Sequence, residues 1–297
     1  MMQVAVVYNE PAADAGPAEA DVLEQVQAVM QALKQCGHIG WTQPCTHDLA
    51  SLDKALNTRR PDVVFNLVEA LGGTDRLSML VPFLLDARHL PYTGNGSLAL
   101  AATIDKIAVK TRLKQAGVPT PDWVAGDTID PTEHRCGRYI LKARTEHASL
   151  GIGDDAIVET RDLAALKARI TRQSARLATP CFAERYVPGR EFNIALLAGG
   201  DGVQVLPPAE IDFGEFGPDQ PHIVGHAAKW QPDSFEFQST PRVFDFAERD
   251  ADLLATLTRL TAQVWDRLDL RGYARVDFRV DHAGQPWVLE VNPNPCI

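Results

Sequence analysis

Nowhere in the sequence do apolar residues run uninterrupted for about 18 positions, so no ordinary membrane-spanning helix is expected. No G-x-x-x-x-G-K-[ST] occurs, which excludes an ordinary P-loop protein. The five cysteines (Cys36, Cys45, Cys136, Cys181, Cys296) are odd in number and form no C-x-x-C pair. They suit free thiols in a reducing cytosol better than a disulfide framework or a zinc site, and none carries a nucleophile signature. Positive charge is in deficit, with 29 Lys and Arg against 39 Asp and Glu, a net charge of −10. That balance argues against broad binding to nucleic acid or anionic membrane, while leaving room for a local basic pocket. The opening MMQVAVVYNE has neither a basic n-region nor a cleavage site and reads as a first strand, not a signal peptide. Internal repeats and low-complexity tracts are also missing.

What is present is an ordinary soluble composition, 45% hydrophobic and 23% charged, in 297 residues, enough for two or three domains. QVAVVY (3–8) reads as a strand. Val22, Val26, Val29 and Leu33 recur at helical spacing up to a C-cap at Gly37. DVVFNLV (62–68) reads as a second buried strand and LSMLVPFLLDA (77–87) as a helix, so the start of the chain predicts an α/β layer with a parallel sheet. TIDKIAVKTRLKQAGVPTP (103–121) predicts a helix ended by Gly117 and two prolines, a first domain boundary near 120. RYILKA, a glycine-containing turn, RDLAALKARITRQSA and CFAERYV then predict strand, helix and strand, closed by a second boundary near 190 in VPGREF. The remainder predicts strands EFNIALLA and GVQVLPPAEIDF, a long helix near 248–268 and a closing hairpin.

Gly94-Asn95-Gly96-Ser97-Leu98-Ala99 and Gly151-Ile152-Gly153-Asp154-Asp155-Ala156 both match G-x-G-x-x-A. Neither opens a first βαβ unit, and neither has a fitting acidic residue about twenty positions on, so a dinucleotide fingerprint is disfavoured. The first reads as a glycine turn. The second follows a strand-end lysine, where backbone N–H groups could fold over a phosphate. Three lysines lie in apolar company: Lys142 in YILKA, Lys229 in HAAKW and Lys106 after Asp105. Each has a plain reading, a snorkelling strand lysine or a solvent-facing ion pair, but together they suit a polyanion.

The hairpin GYARVDFRVDHAGQPWVLEVNPNP (272–295) carries the strongest signal. Period two puts Arg275, Asp277 and Arg279 on one face, and a turn at His282-Ala283 places Arg275 opposite Glu290 and Asp277 opposite Val288. Arg275, Asp277, Glu290 and Asn292 then share a face. An exposed cross-strand ion pair would account for part of this. Two carboxylates and an amide oxygen converging on one face equally describe a Mg²⁺–nucleotide seat.

Taken in order, PYTGNGSLALAATIDKIAVKTRLKQAGVPTP, YILKARTEHASLGIG, FAERYVPGREFNIALL, HAAKW and the hairpin resemble the ATP-grasp ligases, most closely the D-alanine:D-alanine ligase type, over about residues 91–295. The resemblance implies a three-lobed α/β (α+β) ATP-grasp architecture: residues 1–120 an N-terminal parallel α/β domain, 121–190 a small ATP-grasp lobe and 191–297 a C-terminal lobe with the metal-binding hairpin. It implies ATP between the second and third lobes, with Lys106 and Lys142 on the phosphates, Glu184 and Val187 on the adenine hinge, Glu191 on the ribose and Lys229 reaching the phosphates. It implies Asp277, Glu290 and Asn292 as ligands of Mg²⁺, with Mn²⁺ as a substitute. Arg275 would stabilise charge on the transferred phosphoryl group or tetrahedral intermediate, and loop 145–153 would close over the triphosphate. The implied activity is a cytoplasmic, ATP-dependent carboxylate–amine ligase acting through an acylphosphate on small-molecule carboxylate and amine substrates, with homodimerisation compatible and neither nucleic acid nor membrane as partner.

The sequence also departs from the family pattern. KARTEHASLG replaces K-P-S-R-E-G-S-S-V-G, so a substrate-side serine becomes Ala148; Trp230 stands where a tyrosine usually follows the phosphate lysine; NLVEALGGTDR replaces an H-G segment. The chain also ends two residues after Pro295, where these ligases continue into a substrate-contacting segment. These departures leave the nucleotide residues in place and the substrate open. Alternatives with the same fold are an ATP-binding module without ligase turnover, and carboxylation or phosphotransfer chemistry.

Overall fold

The computed structural model describes residues 1–12, 15–126, 136–146, 149–153, 156–217 and 220–296. The first elements alternate as the sequence predicts, with two additions: β1 (Gln3–Asn9), α1 (Pro17–Gln35), β2 (Ile39–Cys45), α2 (Leu49–Arg59) and β3 (Val63–Leu67). The strands form a parallel sheet in the order β2-β1-β3. β1 takes the centre because Val4 to Val7 are buried on both faces, as a central parallel strand requires. α1 starts on Pro17, buries Val22, Val26 and Val29, and ends before Gly37 at φ +72°. β2 and α2 are the additions. β2 is an edge strand, IGWTQPC, in which Cys45 alone is buried, and its Pro44 and Gly40 disguise it. α2 buries only Leu52 and Leu56, too sparse a stripe to stand out from its polar residues.

Helix α3 (Leu80–Ala87) is shorter than expected, since a 3-10 turn, Asp75–Leu77, precedes it. The helix predicted from Thr103 starts instead at Lys106 as α5 (Lys106–Gln115), and a separate helix, α4 (Ser97–Thr103), precedes it. Asp105 causes the break. Its backbone is extended and its carboxylate accepts from the N–H groups of Ile107 and Ala108, so it caps α5 and makes Lys106 the first helical residue. Ala99, Val109, Leu113 and Val118 precede the Pro119–Pro121 boundary yet pack into the core of the third sheet.

The second sheet is antiparallel, built from β4 (Trp123–Val124), β5 (Gly137–Ala143), β6 (Ile157–Thr160) and β7 (Cys181–Arg185) in the order β4-β7-β5-β6. α6 (Leu163–Leu177), capped by Asp162, lays Leu166 and Ile170 on it. The third sheet holds β8 (Arg190–Gly199), β9 (Gly202–Val205) and β10 (Ala209–Ile211). It also takes β11 (Arg242–Val243), β12 (Tyr273–Val280) and β13 (Pro286–Asn292). Its order is β11-β10-β8-β12-β13, with β9 paired to β8. The predicted strand GVQVLPPAEIDF is thus two strands, parted at Pro207 and Pro208, neither of which can donate to a ladder. HAAKW forms a short helix, α7 (His226–Trp230), unlike the strand that carries Lys142; α8 (Phe235–Gln238) follows it. α9 (Ala251–Arg267) packs Leu257, Leu260 and Val264 against Phe192, Ile194, Val276 and Phe278, the largest core.

The Gly94-Asn95-Gly96 turn joins the first and third sheets. Asn95 Nδ2 donates to the carbonyls of Tyr273 (2.8 Å) and Pro293 (2.7 Å), and its Oδ1 accepts from Arg271 N–H (2.7 Å). One amide therefore holds the start of β12 and the exit of β13. Gly272 makes this approach feasible: at φ +67°, a Cβ there would lie 2.6 Å from Gly94 O. Gly272→Ala is expected to destabilise the protein by about 1–3 kcal/mol through strain and backbone collision. A urea-denaturation midpoint equal to that of the wild type would refute this account of the junction.

Candidate active site

A cleft of about 1240 Å³ opens where the three sheets meet. All ten residues singled out in the sequence line it: Lys106, Lys142, Glu184, Val187, Glu191, Lys229, Arg275, Asp277, Glu290 and Asn292. They come from α5, β5, β7, the turn after β7, β8, α7, β12 and β13.

The hairpin differs from the simple register. Phe278 pairs with Val288, but Asp277 pairs with Glu290 and Arg275 with Asn292, leaving Leu289 without a partner on β12. Together with a one-residue shift set at the turn, this β-bulge replaces the expected Arg275–Glu290 and Asp277–Val288 pairs. Its physical effect is to put two carboxylates directly opposite each other, where like charges would repel. The neighbours explain how they are held. Arg275 grips Asp277 with both ends, Nε–Oδ1 at 2.8 Å and Nη2–Oδ2 at 3.0 Å, and Asn193 on β8 donates to Asp277 Oδ1 at 2.9 Å. Lys106 Nζ stands 3.2 Å from Glu290 Oε1 and donates to Glu146 O at 2.5 Å. Asp277 holds the Arg275 guanidinium well above its ordinary pKa, against the opposing pull of burial. Asn292 Oδ1 accepts from Asn294 N–H at 3.1 Å, which fixes the amide oxygen. Lys106 is itself placed by Asp105, whose carboxylate also takes a bidentate grip from Arg144 just beyond β5.

Glu184 is enclosed by two cations. Lys142 Nζ lies 2.5 Å from its Oε1 and Lys110 Nζ 2.7 Å from its Oε2. Burial pulls the Glu184 carboxyl upward, but the two ammonium groups together hold it below its ordinary value. Lys110 is fully buried, and burial pushes it down to about 8 despite Glu184. Glu191, also buried, pairs with Arg279 (Nη2–Oε2 3.1 Å); burial raises its pKa above the ordinary 4.5 even so. Arg279 also donates to the carbonyls of Gly189 and His222. Of the loop 145–153, His147 and Ala148 lie outside the described residues. Its described part reaches both neighbouring lobes. Glu146 accepts from Thr74 Oγ1 and Asp75 N–H in the first, while Ser149 Oγ donates to Val224 O and Ile152 O accepts from His226 N–H in the third.

Three residues of this network had no role assigned from the sequence. Lys110 lies four residues after Lys106 on the same helix, and Asn193 two after Glu191 on the same strand, so spacing alone could have flagged both. Arg279 alternates with Arg275 and Asp277 on β12 and was visible on that face. As donors, Asp277, Glu290 and Asn292 offer hard oxygens from adjacent rungs of one hairpin, with Arg275 and Lys106 beside the two carboxylates. That set fits a hard divalent cation such as Mg²⁺.

Residues 113–297 match the family model described as D-ala D-ala ligase C-terminus. The chain belongs to this family. Nine of the ten cleft residues fall within the match; Lys106 alone precedes it. A D-alanine–D-alanine ligase of Moorella thermoacetica is 31% identical, covering 99% of this chain and 89% of the relative. An uncharacterized protein of Sinorhizobium fredii is 30% identical, covering 91% and 78%. Among solved structures, a Bacillus anthracis D-alanine–D-alanine ligase complexed with ATP superposes with a TM-score of 0.73 at 20% identity, covering 100% of this chain and 87% of that one. The fold is accordingly the ATP-grasp fold of these ligases, with the parallel sheet first, as the sequence resemblance implied.

The buried Glu191–Arg279 pair yields a prediction. Arg279→Met leaves Glu191 buried without its cation and is expected to cost about 3–5 kcal/mol at neutral pH. Without Arg279 the folded-state pKa of Glu191 climbs further above 4.5, so the folded protein binds the proton more tightly than the unfolded one. The deficit should therefore shrink as pH falls toward 4.5 and widen as pH rises. Equal deficits at pH 5 and pH 8 in denaturant melts would contradict this.

Proposed function

We propose that the chain is an ATP-dependent ligase that joins a small-molecule carboxylate to an amine. The observation that carries the reading is the convergence of four cationic side chains (Lys106, Lys142, Lys229, Arg275) and a hard-oxygen donor set on one cleft. In the first step, a substrate carboxylate oxygen attacks the γ-phosphorus of ATP. The bond from that phosphorus to the β–γ bridging oxygen breaks, and ADP leaves. In the second step, the amine attacks the acyl carbon of the acylphosphate, phosphate departs with the C–O bond electrons, and the nitrogen loses a proton to give the amide. The protein's contribution is positioning and charge neutralisation.

In this assignment Lys106 and Lys142 hold the phosphates from the first and second lobes and Lys229 holds them from α7. Val187 follows β7 at the adenine hinge and Glu191 faces the ribose. Arg275, fixed by Asp277, meets charge on the transferred phosphoryl group or tetrahedral intermediate. Asp277, Glu290 and Asn292 would hold Mg²⁺, or Mn²⁺ in its place, and a bound ion would neutralise phosphate charge as it builds. Glu184 stays at the adenine hinge, which its backbone can serve while its carboxylate turns elsewhere. Its carboxylate is taken up by Lys142 and Lys110, so we assign it to the cation network behind the hinge. We further propose three lobes, 1–120, 121–190 and 191–297, and a cytoplasmic setting. No described helix is long and apolar enough to cross a membrane.

Incubation with ATP, Mg²⁺ and pooled D- and L-amino acids should release ADP together with new amide masses. Asp277→Ala and Glu290→Ala should each abolish that release. Full activity in either variant would remove the metal assignment, and ATP binding without ADP from any acceptor would favour a binding module.

A further inference from the structure

Behind the cleft wall lies a cation that the proposed chemistry does not use directly. Lys110 is 2% exposed and sits one layer deeper than Lys142 and Glu184, which line the cleft. Its ammonium meets Glu184 Oε2 and donates to Thr120 Oγ1 at 2.6 Å. Thr120 in turn donates to Val288 O at 2.8 Å, and Val288 N–H donates to Pro119 O at 2.8 Å. One buried chain of contacts thus runs from β5 through β7 and α5 to β13, two residues from Glu290.

The charge count in this chain decides the function. Two ammonium groups share one carboxylate, leaving a single surplus positive charge. Lys110 is walled off: Glu184 and Thr120 are its polar contacts, the Trp123 ring centroid lies 5.6 Å from its Nζ, and the charge of Asp122 acts on it from further away. The surplus can therefore be presented to the cleft only by Lys142. Without Lys110, Glu184 and Lys142 would form a closed neutral pair, held together by the low dielectric around Glu184.

We infer that Lys110 is a positioning residue: it neutralises Glu184 from behind and so leaves the charge of Lys142 available to a nucleotide polyphosphate. This rests on the reading of the cleft as an ATP site. A purely structural Lys110 would support folding but would not distinguish a ligand with phosphates from one without.

The test compares binding of ATP (with Mg²⁺) and adenosine by calorimetry, with unfolding curves for each variant. Lys110→Met is expected to weaken ATP roughly tenfold or more, the scale of one charge-assisted hydrogen bond, while adenosine affinity changes less than about twofold. Lys110→Arg should keep most of the ATP affinity. The double variant Lys110→Met with Glu184→Gln removes both buried charges, avoids an unpaired carboxylate and frees Lys142 again. It should bind ATP more tightly than Lys110→Met alone. If Lys110→Met does not fold, the double variant carries the comparison, and ATP binding weakened tenfold with adenosine intact overturns the inference. Equal losses for ATP and adenosine, or unchanged ATP binding in folded Lys110→Met, also overturn it. Failure of the wild-type chain to bind ATP would instead remove the nucleotide reading and this inference with it.

Discussion

The pairing of β12 with β13 is the constraint on which the rest of the molecule depends. Its open end is held by Asn95, whose side chain spans the start of one strand and the exit of the other. At its closed end, Trp287 Nε1 donates to Asp281 Oδ2 and Asp281 N–H donates to Gln285 O, which sets the turn. Between these ends, the apolar side of the hairpin forms the largest core with α9 and α5, while the other side forms the floor of the cleft. Stability and chemistry are thus carried by opposite faces of the same two strands.

The bulge at Leu289 gives that floor its character. An unbroken ladder from the Phe278–Val288 rung would set Asp277 against Leu289 and Val276 against Glu290, leaving the two carboxylates out of register. One unpaired residue brings Asp277 and Glu290 into register, and each then needs cations nearby. Arg275 and Lys106 supply them from β12 and α5, and Asn193 on β8 adds an amide donor, so elements distant in sequence are drawn to one place by the need to compensate two carboxylates. The same requirement recurs around Glu184 and Glu191, each enclosed by basic side chains. Buried or half-buried acid–base pairs thus recur across the sheets that wall the cleft.

Much of this was legible in the sequence, for reasons that can be stated. β1, β3, α1 and α9 show clear periodicity because their buried faces are continuous, and the parallel first layer follows from alternating strand and helix. Lys106, Lys142, Lys229 and the polar face of the hairpin were legible because charged groups in apolar runs must find partners, whereas Glu184, Val187 and Glu191 came only from the family resemblance. β2 escaped notice because an edge strand can be polar on both faces, and α2 because two buried leucines make a weak stripe. The break between α4 and α5 was obscured by good helix formers on either side of Asp105, although a capping aspartate was there to be read.

Composition, spacing and motif order pointed by themselves to an α/β protein with lysines in apolar company and a hairpin whose Arg275, Asp277, Glu290 and Asn292 share one face. Such features are local, set by period-two and 3.6-residue repeats and by the cost of burying unpaired charge. Tertiary structure alone decided which charges meet. The turn and the bulge together moved the hairpin's partners by two residues on one strand, and Lys110, an ordinary helical lysine in sequence, became a buried partner of Glu184, 74 positions away. Those outcomes depend on how sheets from different parts of the chain pack, and no periodicity within either segment specifies that contact.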